Sequence, residues 1–127
     1  MIAIDSSSWI AFFSDRETPA DDTALVESAL ADHQACLPPV VLTELLSDPK
    51  LPRPLAALLL EVPLLESGLG YWERAGRLRA KLAAAGQRAR LADSLIAQSC
   101  LDHRVRLVTR DGDFRHFARL GGLRLAL

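Results

Sequence analysis

Short apolar runs alternating with longer helix-period stretches predict an α/β fold, a parallel sheet flanked by helices. Three observations carry that expectation. The alternation holds from the first residue to the last, without a linker, repeat or low-complexity stretch. A chain of 127 residues, half of them apolar, suffices for one buried core, so residues 1–127 are read as a single domain. Isolated acids stand at the ends of strand-like runs, where open α/β sheets place their sites.

The elements follow in order. Ile2–Asp5 reads as a short buried strand. Ser6, Ser7 and Ser8 offer caps for a helix running through Trp9 and Phe13. A second helix starts at Asp21 or Asp22 and reaches about His33, with Ala24, Leu25, Ala29 and Leu30 as its apolar stripe. Ala35–Leu37 reads as a strand. Pro38 and Pro39 open a helix carrying Val40, Val41, Glu44 and Leu45, since proline suits a first helical turn. Pro49, Pro52 and Pro54 punctuate a loop before a helix over Leu55–Glu61, and Val62–Leu65 reads as a strand. The longest helical pattern is Tyr71–Ala85, stopped by Gly86. Gln87–Arg90 is a basic loop and Leu91–His103 a helix with Ile96, Ala97 and Cys100 inward. Arg106–Thr109 is a strand, Asp113–Leu120 a short helix and Leu123–Leu127 a last strand.

Composition narrows the function classes. No apolar run is long enough for a membrane span, and the start lacks the layout of a signal peptide. Cys36 and Cys100 give neither a disulfide framework nor a zinc spacing, so reduced thiols and a cytoplasmic protein are expected. The net charge is −1, but it is unevenly spread. Residues 1–73 hold 12 acids and 3 bases, while residues 74–127 hold 12 bases and 4 acids. The second half thus offers a surface suited to an anionic partner. The bland alternative is a solvated face neutralised by the acidic half.

Asp5, Glu44, Asp93 and Asp111 each interrupt or end an apolar segment. A carboxylate is costly there unless something pairs with it. Oxygen-rich acidic clusters suit Mg²⁺, which takes few protein ligands and prefers carboxylates. Asp5 is favoured as a ligand over a helix cap, because Ser6 or Ser7 can cap. For Glu44 the local pattern fits an inward and a solvent-facing side chain equally. Asp93 shares a face with Ile96, Ala97 and Cys100, yet its place near a helix start also fits a cap. In Thr109-Arg-Asp-Gly-Asp-Phe, Asp113 suits a cap before Phe114 and Asp111 has no structural task. His33, His103 and His116 face no nucleophile, and Trp9 and Trp72 read as packing residues. Gly68-Leu-Gly lacks the lysine and third glycine of a phosphate loop.

Ile4-Asp-Ser-Ser-Ser-Trp-Ile, Pro39-Val-Val-Leu-Thr-Glu-Leu-Leu, Leu91-Ala-Asp-Ser-Leu-Ile-Ala and Leu107-Val-Thr-Arg-Asp-Gly-Asp-Phe occur in that order. Together they resemble the acidic motifs of PIN-domain nucleases, especially the VapC-type toxin of VapBC toxin–antitoxin pairs. The resemblance implies a three-layer α/β/α sandwich with a central parallel sheet. It implies that Asp5, Glu44, Asp93 and Asp111 bind Mg²⁺ or Mn²⁺ and catalyse hydrolysis of RNA. Ser6 (or Ser7) and Thr109 are then accessory hydrogen-bonders, with Asp113 as a further assisting residue. Arg88, Arg90, Arg110 and Arg115 flank the motifs and are expected to touch the RNA backbone. A cognate antitoxin and a homodimer are implied partners, with Trp9, Phe12, Phe13 and Leu55–Leu60 offering apolar surface if they are not core. The alternatives are a non-cleaving module of the same fold, or a related nuclease acting in RNA processing or on DNA.

Overall fold

The computed structural model describes residues 1–14 and 20–127. One sheet of three parallel strands runs in the order β2–β1–β3, with β1 at Ile2–Ile4, β2 at Ala35–Cys36 and β3 at Arg106–Val108. Among the described residues, seven helices surround it. They are α1 (Ser6–Ser14), α2 (Asp21–Ala31), α3 (Pro39–Leu46), α4 (Arg53–Glu61), α5 (Tyr71–Ala84), α6 (Leu91–His103) and α7 (Phe114–Gly121). The expected α/β/α architecture is present.

Strand β1 takes the central place because it has nothing polar to expose: Ala3 and Ile4 are fully buried, as in a strand covered on both faces. With β2 on one side of β1 and β3 on the other, right-handed connections send successive helices to opposite faces. The packing agrees. Helix α2 lies on α1 and β2, while α5, α6 and α7 pack together and α6 covers β3. Helix α3 touches both α1 and α6, so it sits where the two groups meet. Trp9, Leu37, Leu59, Leu82, Ile96, Leu107, Phe114 and Phe117 fill the core. Each such side chain contributes roughly 1.5–3 kcal/mol by leaving water.

Two expected strands shrink to single bridges. Val62–Leu65 meets the sheet at Leu64 opposite Leu37, and Leu123–Leu127 meets it at Leu125 opposite Leu107. Alternation of backbone groups explains this. A three-residue β3 turns only Leu107 toward its outer edge, and that residue accepts from Ala126 and donates to Arg124. Leu37 does the same for Pro63 and Leu65.

Helix α2 buries Asp22, Thr23, Val26 and Ala29; of the expected stripe, Ala29 is core, Leu25 and Leu30 pack half-buried against it and Ala24 is exposed. The acid turns inward because it has partners there, Arg110 and Ser8. Helix α4 begins at Arg53, ahead of the expected Leu55, because Pro54 fits a first turn. Gly86 follows α5 at a φ of 75°, a left-handed conformation suited to ending a helix.

Trp72 is not a core residue: it is 67% exposed and stands edge-on to Tyr71. Of the apolar residues considered for an interface, Trp9, Leu55 and Leu59 are core and Leu60 is exposed. Cys36 and Cys100 are buried, as expected; burial pushes the Cys36 thiol up to about 11 and the Cys100 thiol higher still. Among the described residues, no helix is long and apolar enough to cross a membrane.

Candidate metal centre at the carboxyl edge of the sheet

The strand register builds the first half of the site. Ile4 is paired with Val108, and the Asp5 N–H continues the ladder to the Val108 carbonyl at 2.9 Å. Asp5 and Thr109 are therefore neighbours just beyond the strand ends. The Thr109 hydroxyl donates to Asp5 Oδ2 at 2.8 Å, and the Ser7 hydroxyl donates to the same oxygen at 2.9 Å. Each hydroxyl also accepts a backbone N–H: Ser7 from Arg110 at 3.0 Å and Thr109 from Asp111 at 3.0 Å. A hydroxyl has one proton to give, so both protons are directed at Asp5. The buried carboxylate is thereby wired to the loop after β3. Its backbone carbonyl accepts from the Ser8 and Trp9 N–H groups and starts α1.

The second half comes from α6 and the turn before α7. Asp93 is the third residue of α6, half-buried in its first turn. One carboxylate oxygen from each of Asp93, Asp111 and Asp113 lies within 4.8 Å of the others. A helix N-terminus favours a carboxylate. Even so, the Asp93 carboxyl is pushed up to about 6, by burial first and then by the charges of Asp111 and Asp5. Arg90 opposes that rise and Glu44 adds to it. Glu44 itself is raised, by loss of water and by the charge of Asp5. As a whole residue it stays exposed on α3. The Asp5 contribution is the informative one, because it puts Asp5 within electrostatic reach of Glu44. The Asp93 carboxyl thus feels the charges of the other three acids singled out in the sequence.

Several details differ from expectation. Ser7 rather than Ser6 supplies the hydroxyl to Asp5. Asp111 and Asp113 both belong to the cluster, and Asp111 has a structural task as well. Asp111 Oδ1 accepts the Asp113 N–H at 2.9 Å and shapes the turn, whereas the Asp113 side chain makes no cap bond and joins the cluster. Asp93 is not a cap, since Arg90 precedes the helix. Arg110 forms a two-bond fork with buried Asp22, at 2.6 and 3.0 Å, which holds the Asp22 carboxyl below its usual range. Arg115 lines a small cavity together with Thr109, Arg110 and Asp111. Asp22 had no signal in the sequence, because Asp21-Asp22 is ordinary for the start of a helix.

Clustered carboxylates, one of them hard to ionise because it is buried and its neighbours are charged, fit a divalent cation, which would relieve the repulsion. Asp93, Asp111 and Asp113 are close enough to share one ion, and the charges of Asp5 and Glu44 reach Asp93.

Residues 2–120 match the family model of the PIN domain. No curated protein matches in sequence. Solved structures do match in fold. VapBC2 from Rickettsia felis, bound to a DNA fragment from its promoter, has a TM-score of 0.72 at 20% identity, covering 98% of this chain and 97% of that one. A toxin–antitoxin complex from Klebsiella pneumoniae has a TM-score of 0.70 at 20% identity, covering 97% and 95%. DNA-bound VapBC from Salmonella typhimurium has a TM-score of 0.68 at 21% identity, covering 98% and 95%.

Proposed function

This chain belongs to the PIN domain family, a nuclease family, and from that membership we propose that it is a Mg²⁺- or Mn²⁺-dependent endoribonuclease. We read residues 1–127 as one nuclease domain, the toxin of a toxin–antitoxin pair. The convergence of Asp93, Asp111 and Asp113 beside Asp5 and Glu44 carries the reading.

In this reading Asp5, Glu44, Asp93 and Asp111 hold the metal, with Asp113 assisting. A divalent cation there acidifies water and offsets charge on a phosphodiester. The chain's own part is to keep the carboxylates in place. Ser7 and Thr109 fix Asp5, and Thr109 also fixes the backbone of Asp111. Arg88, Arg90 and Arg115 bind the RNA backbone, and Arg110 adds charge from within its pair with Asp22.

The toxin reading is supported by the fold shared with the Klebsiella toxin–antitoxin complex. A cognate antitoxin inserting an Arg or Lys among the acids would silence the site by supplying the positive charge. A cytoplasmic homodimer belongs to the same reading.

The test is cleavage of structured and unstructured RNA with Mn²⁺ or Mg²⁺, comparing the wild type with Asp5→Asn and Asp93→Asn. Metal-dependent cutting lost in both variants is expected, with a loss of at least about a hundredfold. Cutting that survives in both variants, or that persists in chelator, would sink the proposal.

A further inference from the structure

The loop that carries Thr109 and Asp111 has an anchor outside the acidic cluster. Between those residues lies Arg110, whose N–H donates to Ser7 Oγ. Its guanidinium reaches across to α2, where Nε meets Asp22 Oδ2 at 2.6 Å and Nη2 meets Oδ1 at 3.0 Å. Asp22 is 7% exposed, although it stands at the start of a helix where solvent is usually available. A second partner holds it, the buried Ser8 hydroxyl at 3.3 Å. Ser8 follows Ser7, the residue that donates to Asp5. Asp22 therefore touches both strings that end on Asp5: one through Ser8 and α1, the other through Arg110 and the β3–α7 turn.

We propose that Asp22 is a positioning residue of the site: through its fork with Arg110 it sets the turn that places Thr109 and Asp111 against Asp5. The inference rests on the metal-site reading above for its consequence but not for its geometry. A fork is directional, so it fixes the orientation of the guanidinium as well as its distance. Arg110 is 41% exposed in its side chain, so solvent screens the charge attraction, while the two bonds of the fork keep the buried Asp22 carboxylate satisfied. Its effect is local: Arg110 is adjacent to Thr109 and Asp111, and a shift in its backbone breaks the donation to Ser7.

The test uses Asp22→Asn, which loses the charge, and Arg110→Lys, which keeps the charge and loses the fork. Amide hydrogen exchange in the metal-free protein is read first, then Mn²⁺ binding by calorimetry. Exchange at Arg110, Asp111 and Asp113 is expected to rise about tenfold in both variants, with β1 and α6 unchanged. Mn²⁺ affinity is expected to fall about tenfold or more, the usual result of losing a residue that orients a ligand. Unchanged exchange in the turn overturns the proposal, and so does Mn²⁺ affinity within about twofold of wild type. A uniform rise across the whole chain also overturns it, because that is loss of stability alone. Should Asp22→Asn fail to fold, Arg110→Lys decides by the same two readouts. Wild type that takes up no Mn²⁺ would sink the metal reading instead; local exchange raised in both variants would then still uphold the placing of the turn by Asp22.

Discussion

Asp93 shows what the site costs the protein. Its folded carboxyl value of about 6 stands above the ordinary 3.8, so the folded state holds a proton that the unfolded chain releases. Stability from this group is therefore lost as pH rises from about 4 to 6, and stays lost above that. After allowance for solvent screening the effect is on the order of 1–2 kcal/mol. Asp93→Asn removes the penalty. The metal-free variant should melt several degrees higher than wild type at pH 7.5 and close to it at pH 4. Thermal denaturation at the two pH values checks this; a variant that melts lower at pH 7.5 would show that Asp93 is not repelled. The same substitution is the one expected to abolish cleavage, so stability and activity should move in opposite directions.

At the scale of elements, short strands deliver few backbone groups, and the turns around them do the placing. The chain enters α5 through Gly70, at a φ of 79°. A Cβ added there would lie 2.6 Å from Arg74 Nη1. That guanidinium donates to the Leu69 carbonyl and forks onto Asp102 of α6. Gly70→Ala thus strains the backbone and dislodges the link between α5 and α6. A loss of about 1–2 kcal/mol is expected, read by urea denaturation. RNA cleavage per folded molecule should be unchanged, because the site lies at the other end of α6. An equal loss from Gly68→Ala would argue against this account, since nothing lies within 4 Å of a Cβ at Gly68.

For the whole molecule, an acidic cluster sets carboxylates against one another, and a divalent cation would relieve that repulsion. Adding Mn²⁺ should raise the melting temperature, because the ion binds the folded chain and not the unfolded one. At about a hundredfold above its dissociation constant the gain is about 2.7 kcal/mol. The gain should vanish in Asp93→Asn. A wild-type melting curve unmoved by saturating Mn²⁺ would count against the metal centre. The charge asymmetry of the sequence also resolves at this scale. Arg110 of the basic half pairs with Asp22 of the acidic half, while Arg74 pairs with Asp102 inside the basic half.

Periodicity made β1, α5, α6 and the central parallel sheet legible in the sequence, because an apolar pattern states which residues must leave water. The same logic exposed Asp5, Glu44, Asp93 and Asp111, since an acid in an apolar run requires a reason. Pattern did not reveal how Asp111 and Asp113 divide their roles. Both are turn residues, and only the structure shows that both join the cluster while Asp111 also accepts the Asp113 N–H. Ser7 over Ser6 is likewise settled by direction, because the Ser7 hydroxyl donates to Asp5 and accepts from the turn after β3. Asp22 is the extreme case: locally it is a helix-start acid, and its burial follows from a partner 88 residues away. Local sequence determines which residues must be buried and which acids need company. Only the tertiary structure decides who that company is, because register and packing bring together side chains that the chain itself keeps far apart.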